Sequence, residues 1–166
     1  PMDEKSRDLF NTVANKVIPL DPSIRPSAIK TLLDYVQGND AAITNYLNAS
    51  VSSKADDVLK QWLRQDMQAL NAVASNSAAI VTGGVTLQHV VAYEVGQTIQ
   101  FNSPLLLAEN ASDVVLQIEN AKGLGIDLNE LNAGHGVLMP MGLSFEVVSI
   151  EALNGKMIYT LKALVN

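Results

Sequence analysis

The chain has 166 residues, 48% hydrophobic and 17% charged, and a net charge of −6. That composition excludes a disordered segment and fits one folded domain, 1–166, too short to divide into two. Without cysteine there is no disulfide, thiol nucleophile or thiolate metal site, and two distant histidines, His89 and His135, argue against zinc; no metal is expected.

The N-terminus, PMDEKSRDLF, is charged and lacks an apolar stretch, so no signal peptide is expected. No apolar run reaches the ~18 residues of a membrane span, and the cellular location stays open. Pro1 ahead of Met2 reads as a residue left by cloning, which keeps a longer parent chain in play. From Asp3 to Ile18, the residues Leu9, Phe10, Val13, Val17 and Ile18 recur near helical spacing, and Pro19 stops the run. Ser27 caps a second expected helix with Ile29, Leu32, Leu33 and Val36 on one face and Gly38 at its end. Asn39 or Asp40 caps a short helix with Ile43, Tyr46 and Leu47. Ser52 or Ser53 opens the longest, with Ala55, Val58, Leu59, Trp62, Leu63, Leu70 and Val73, ending near SNS. Trp62 is expected in the core.

From Ala79 the period changes. AAIVTG, VTLQHVVAYEVGQTIQF and GVLMPMGLSFEVVSIEALNGKMIYTLKALVN read as strands, and Asn154-Gly155 suits a tight hairpin turn. Between them, NASDVVLQIENAKGLGIDL is expected to be a helix, capped by Ser112, with Val114, Val115 and Ile118 on one face and Gly123 and Gly125 as its stop. The fold class is therefore α+β. A helical lobe (1–76) packs on a mainly antiparallel β lobe (77–166).

Charge divides unevenly between these lobes. Residues 1–78 carry eight Lys/Arg and nine Asp/Glu; residues 79–166 carry three lysines, eight acids and no arginine, the last arginine being Arg64. That balance is a poor match for nucleic acid or for phosphate-rich ligands, which are read by Arg and Lys. It suits a basic protein partner, an acidic solvated face being the ordinary alternative.

Single motifs carry little chemistry. TGGV (Thr82–Val85) lacks the spacing of a dinucleotide or P-loop signature and reads as a turn or bulge. His89, within LQHVVAY, reads as structural. Glu94, Glu109, Glu119, Glu130, Glu146 and Glu151 form no tight pair, and Ser103 lies in no nucleophile elbow.

The order of the segments says more. AIKTLLDYVQGNDAAITNYLN (Ala28–Asn48), a long helix at 54–76, IVTGGV, the VG turn at Val95-Gly96, QFNSPLLLAENASDVV, GIDLNEL and GHGVLMPMGLSFEVVSI together resemble the framework of toxin- and exoenzyme-type mono-ADP-ribosyltransferases. The resemblance runs from about Ala28 to the C-terminus and implies that fold, with NAD as the co-substrate of an active member. It fails at the chemistry. The position matching the family's arginine, which pairs with NAD phosphate oxygens, is Gly83. The Ser-Thr-Ser motif is Ser103-Pro104-Leu105, and the two alternating glutamates fall on Gly134 and Gly136. The second glutamate holds the nicotinamide ribose and stabilises oxocarbenium-like charge; losing one such group costs ~10²–10³ in rate. Glu130, His89 and His135 are the rescue candidates.

The resemblance thus implies a catalytically inactive module with a binding, structural or regulatory role, of the kind found in phage or bacterial effector systems, needing no cofactor and partnered by protein. The alternatives are a divergent active NAD-dependent protein mono-ADP-ribosyltransferase and a virion or assembly protein. A cleft filled by Leu105 and Leu106 would end the enzyme reading, and an open polar one would keep it.

Overall fold

The computed structural model describes residues 3–85, 92–131 and 135–165. Four helices come first: α1 (Glu4–Lys16), α2 (Arg25–Val36), α3 (Ala41–Asn48) and α4 (Lys54–Gln68), the last continuing as a 3-10 segment, Ala69–Val73. Caps set several starts. Asp3 accepts from the Ser6 N–H at 2.7 Å and Ser53 from the Asp56 N–H at 3.0 Å, each satisfying a donor that the first turn leaves open. α2 begins at Arg25 instead of behind a Ser27 cap, because Pro26 suits the first turn, where its missing N–H is no loss.

Among the described residues eight strands follow: β1 (Val81–Gly84), β2 (Thr98–Ile99), β3 (Leu105–Leu107), β4 (Val114–Glu119), β5 (Ile126–Asp127), β6 (Val137–Met139), β7 (Ser144–Leu153) and β8 (Lys156–Leu164). They form one sheet in the order β1-β4-β8-β7-β2 and a smaller one, β3-β6-β5. Only β4 with β8 is parallel among the described pairings. The expected hairpin at Asn154-Gly155 joins β7 to β8.

Three expectations are corrected. The segment expected as a helix around Val114–Ile118 is strand β4, in which Val114, Leu116 and Ile118 are buried and the residues between them half-exposed. Alternation with period two, reinforced by pairing on both edges with β1 and β8, outweighs the helical reading. TGGV is no turn, since Thr82, Gly83 and Gly84 lie inside β1. Of the strand expected across VTLQHVVAYEVGQTIQF, the described residues form only β2, and His89 lies outside them.

The helices and the smaller sheet share one core, in which Val13, Val17, Leu32 and Leu70 pack with Ile126, Leu128 and Leu138. A second core lies among the strands around Leu107, Leu116, Phe145 and Leu161. The connector between helices and strands is pinned, not loose. Buried Asn76 donates from Nδ2 to the carbonyls of Ala78 and Ala121, at 3.1 and 2.9 Å, while the Ser75 and Asn76 N–H groups share the Gly125 carbonyl.

Helix α4 is built contrary to its sequence pattern. Lys60 is only 1% exposed, whereas Trp62, expected in the core, is 65% exposed. The buried ammonium is satisfied by the Ala49 and Ser50 carbonyls at 2.9 and 3.1 Å and by Asp56 Oδ2 at 3.1 Å, and it lies over the Tyr46 ring. Asp56 also accepts from the Tyr46 hydroxyl and from the Ser52 N–H. The Tyr46 hydrogen bond above all, then the Ser52 N–H and Lys60, holds this carboxyl well below the ordinary aspartate range.

Lys60→Ala removes three charge-assisted hydrogen bonds and the packed stem, and is expected to lower stability in urea unfolding by roughly 2–4 kcal/mol. Because the folded Asp56 titrates below the unfolded value of ~3.9, its stabilisation is complete above that value and is lost as pH falls through the folded one. Asp56→Asn is therefore expected to flatten the loss of stability below about pH 4, read from urea midpoints across an acid series.

Candidate functional site

Two of the positions singled out by the family resemblance, Gly83 and Gly136, meet strand β3. β1 meets β3 through a backbone bridge, Gly84 with Ala108, and the Gly84 N–H donates to the Ala108 carbonyl at 3.0 Å. This approach requires glycine. A Cβ placed on Gly83 would lie 2.4 Å from the Ala108 nitrogen and 2.6 Å from the Leu107 carbonyl carbon. From the other side, Gly136 precedes β6, which pairs with β3, and has φ +89°. A Cβ there would lie 2.3 Å from the Leu107 carbonyl oxygen. The volume that an arginine at 83 or a glutamate at 136 would need to enter is occupied by the β3 backbone.

The remaining candidates are dispersed. Ser103 is buried, and its Oγ accepts from Asn48 Nδ2 at 2.9 Å, which ties the approach to β3 onto α3. Glu130 forms an ion pair with Lys16 of α1 at 2.6 Å. His135 is exposed beside Gly136, while Gly134 and His89 lie outside the described residues. Arg64, the last arginine, donates to the carbonyls of Asn102 and Leu47 at 2.9 and 2.8 Å and so clips α4 to the last turn of α3 and to the loop ahead of β3. Among the described residues no three His, Asp or Glu side chains gather as a metal site.

Beside the β1–β3 junction lies an open cavity of about 700 Å³. Leu106 lines it, whereas Leu105 belongs to the core, so neither leucine fills it. One wall comes from α2 and α3 and presents Tyr35, Asp40 and Thr44; the other presents Gly84, Asn110, Ser112 and Asp113. The Tyr35 hydroxyl and Thr44 Oγ1 lie 3.3 Å apart, and burial pushes the Tyr35 phenol up to about 12, so it stays neutral. On the opposite wall Asn110 Nδ2 donates to the Gly84 carbonyl at 3.1 Å, and Ser112 Oγ donates to that of Val85. Two carboxylates, Asp40 and Asp113, line the cavity, and no lysine, arginine or histidine does so among the described residues. These wall residues lie in segments that carry the family framework, but nothing in their local pattern distinguishes them from helix and loop positions.

Neither a protein-family model nor a curated protein matches the chain by sequence. Its structure resembles several solved ADP-ribosyltransferases. Exoenzyme S from Pseudomonas aeruginosa, solved in complex with human 14-3-3 protein beta and bound to carba-NAD, aligns with a TM-score of 0.59 at 16% identity, over 94% of this chain and 87% of its own. The Clostridium limosum C3 exoenzyme gives 0.57 at 12% identity, over 98% and 94%. Vis toxin, an ADP-ribosyltransferase from Vibrio splendidus, gives 0.54 at 11%, over 99% and 87%. The chain therefore has the ADP-ribosyltransferase-like α+β fold that the order of its segments implies.

The glycine contacts make a specific demand. Gly83→Ala and Gly136→Ala are each expected to cost ~2–3 kcal/mol in urea unfolding, through overpacking against backbone and, at 136, the positive φ. Gly123→Ala, with φ +80° but open space around its Cβ, is expected to cost only about 1 kcal/mol.

Proposed function

We propose that this chain is an ADP-ribosyltransferase-like domain without transferase activity, acting as a protein-binding module. The observation that carries the reading is the packing of Gly83 and Gly136 onto β3. Two positions that the resemblance assigns to catalysis hold residues without side chains, and the space beside them is taken by main chain. A degenerate site that kept its cavity could be refilled by a neighbouring group; one closed by backbone cannot.

The cavity beside the junction supports the same reading. NAD carries a negatively charged pyrophosphate, whose recognition needs cations or a cluster of free N–H donors. Here the charged groups of the wall are Asp40 and Asp113, and like charges repel the phosphates most strongly where water is scarce. The residues present do not fit the dinucleotide. The rescue candidate Glu130 is engaged by Lys16, and its side chain does not line the cavity. Exoenzyme S has both a 14-3-3 protein and carba-NAD bound on this fold. We infer that the present chain keeps the first kind of interaction and has lost the second.

The open cavity is the one observation that favours the divergent-transferase alternative. Calorimetry separates the two, since an active enzyme binds NAD and this reading expects no heat of binding. With labelled NAD, neither nicotinamide release nor self-modification above the buffer rate is expected. Robust turnover that Glu130→Ala abolishes would overturn the proposal.

A further inference from the structure

The β7–β8 turn holds the one Asn-Gly pair of the chain, Asn154-Gly155. In any asparagine the side-chain carbonyl carbon lies within five-membered-ring reach of the next residue's nitrogen. Where that nitrogen is unhindered and the amide is free to rotate, the nitrogen attacks the carbon and ammonia leaves, which is one reason asparagine is thermolabile. Glycine offers the least hindered nitrogen, because it has no Cβ beside it. The fold decides where along the chain these conditions are met together.

They are met at the hairpin tip. Residues 151–157 are all exposed. Asn154 and Gly155 have φ +52° and +77°, the pair of positive values that a type I′ turn requires, and nothing lies within 4 Å of where a Gly155 Cβ would sit. Neither the Asn154 amide nor the Gly155 N–H has a hydrogen-bond partner among the described residues. Attack requires the turn to open, and a tip without packed neighbours opens at little cost. Asparagines ahead of alanine or serine in the body of the domain are held instead. Asn71 Nδ2 donates to the Met141 carbonyl at 2.7 Å, Asn110 Nδ2 to that of Gly84 at 3.1 Å and Asn120 Nδ2 to that of Ala163 at 2.9 Å. Buried Asn76, ahead of Ser77, donates to two carbonyls and accepts from the Ala78 N–H at 3.0 Å. Asn102 is exposed, but the nitrogen it would use belongs to buried Ser103.

We propose that Asn154 is a site of spontaneous covalent modification, at which the folded chain converts a side-chain amide to a carboxylate. The Gly155 nitrogen bonds to Asn154 Cγ, the Cγ–Nδ2 bond breaks, and Nδ2 leaves as ammonia with the proton that Gly155 gave up. Water, the one co-reactant, then opens the cyclic imide at either carbonyl, giving aspartate or isoaspartate. Aspartate keeps the turn, since Asp-Gly also suits type I′. Isoaspartate routes the main chain through the former side chain, which adds a carbon to a two-residue loop and displaces the Leu153–Lys156 pair that closes it. Either product adds a negative charge to a chain of net charge −6, at a tip outside the core that Val147 and Leu161 of the same hairpin enter. The domain therefore stays folded while its surface changes. The site is distinct from the β1–β3 junction and its cavity, so it stands whether or not the domain turns over NAD.

The test incubates the whole chain at mildly alkaline pH, folded and in guanidinium, and follows ammonia release, anion-exchange elution and peptide mapping by mass spectrometry. The folded protein is expected to shift to a more negative species, with the new acid mapped to Asn154. Two products are expected for that peptide, one of them eluting with the peptide of an Asn154→Asp variant. Asn76 is expected to convert only in guanidinium. Asn154→Gly, which leaves a Gly-Gly pair that the turn accepts, is expected to lose the charge shift with an unchanged circular dichroism spectrum. Asn154 left intact in the folded chain while it converts in guanidinium would overturn the proposal, because the turn would then protect it. Conversion of Asn102 as fast as Asn154, or a charge shift undiminished in Asn154→Gly, would overturn it as well.

Discussion

The peptide group joining Leu107 to Ala108 lies between two glycines, and the two sheets meet at that contact. Gly83 approaches from the larger sheet and Gly136 from the smaller, each so close that a single methyl group would overlap main-chain atoms. Interiors pack at crystal-like density, so a contact of this kind fixes its surroundings by exclusion. The Gly84–Ala108 bridge beside it carries the hydrogen bonding from one sheet to the other. With β3 held there, the loop at 109–113 returns over β1, where Asn110 and Ser112 cap the carbonyls of Gly84 and Val85. The shape of the cavity follows from this arrangement, because its β-side wall is that same loop.

Three of the chain's eleven Lys and Arg residues hold the helices to their neighbours. Lys60 is buried under carbonyls and beside Asp56, Arg64 joins α4 to α3 and to the loop ahead of β3, and Lys16 pairs with Glu130. Arg64 and Lys16 join segments distant in sequence, and Lys60 ties α4 to the turn just ahead of it, uses for which a long, multidentate donor is well suited. What remains around the cavity is acidic. An electrostatic environment suited to a phosphate would need the opposite distribution, and the packing of α3 and α4 depends on the present one.

Much of this was legible in the sequence. The helical pattern gave α2 and α3, Ser53 marked the start of α4, and Asn154-Gly155 marked the hairpin. The order of motifs gave the fold, although identities to solved relatives are as low as 11–16%. Strand β4 was misread because Val114, Val115 and Ile118 satisfy a helical repeat, while the alternation of Val114, Leu116 and Ile118 shows its meaning only once strands exist on both sides. Trp62 was misplaced for a different reason. Periodicity identifies an apolar face but not the direction in which it points, and α4 is turned by the demands of Lys60. At the site, glycine at 83 and 136 could be read as missing chemistry. That the same glycines bear a close backbone contact could not, since the partner main chain lies more than twenty residues away in each direction.

These glycines and the exposed apolar stripe of α4, Val58, Leu59 and Trp62, place opposite demands on the free domain. A catalytic position lost by substitution alone leaves a cavity, which costs stability and invites refilling. At Gly83 and Gly136 the strands pack against main chain with no room for a Cβ, so on the proposed reading the missing side chains are made permanent by packing. An outward apolar stripe has the opposite character, since its exposure is unfavourable for the isolated chain and is relieved only when something covers it. One feature therefore packs the junction between the sheets tightly, and the other leaves apolar surface for which the free domain has no internal use. The exposure of that stripe and the burial of Lys60 are set by one rotation of α4, so the two faces of the helix are a single energetic problem.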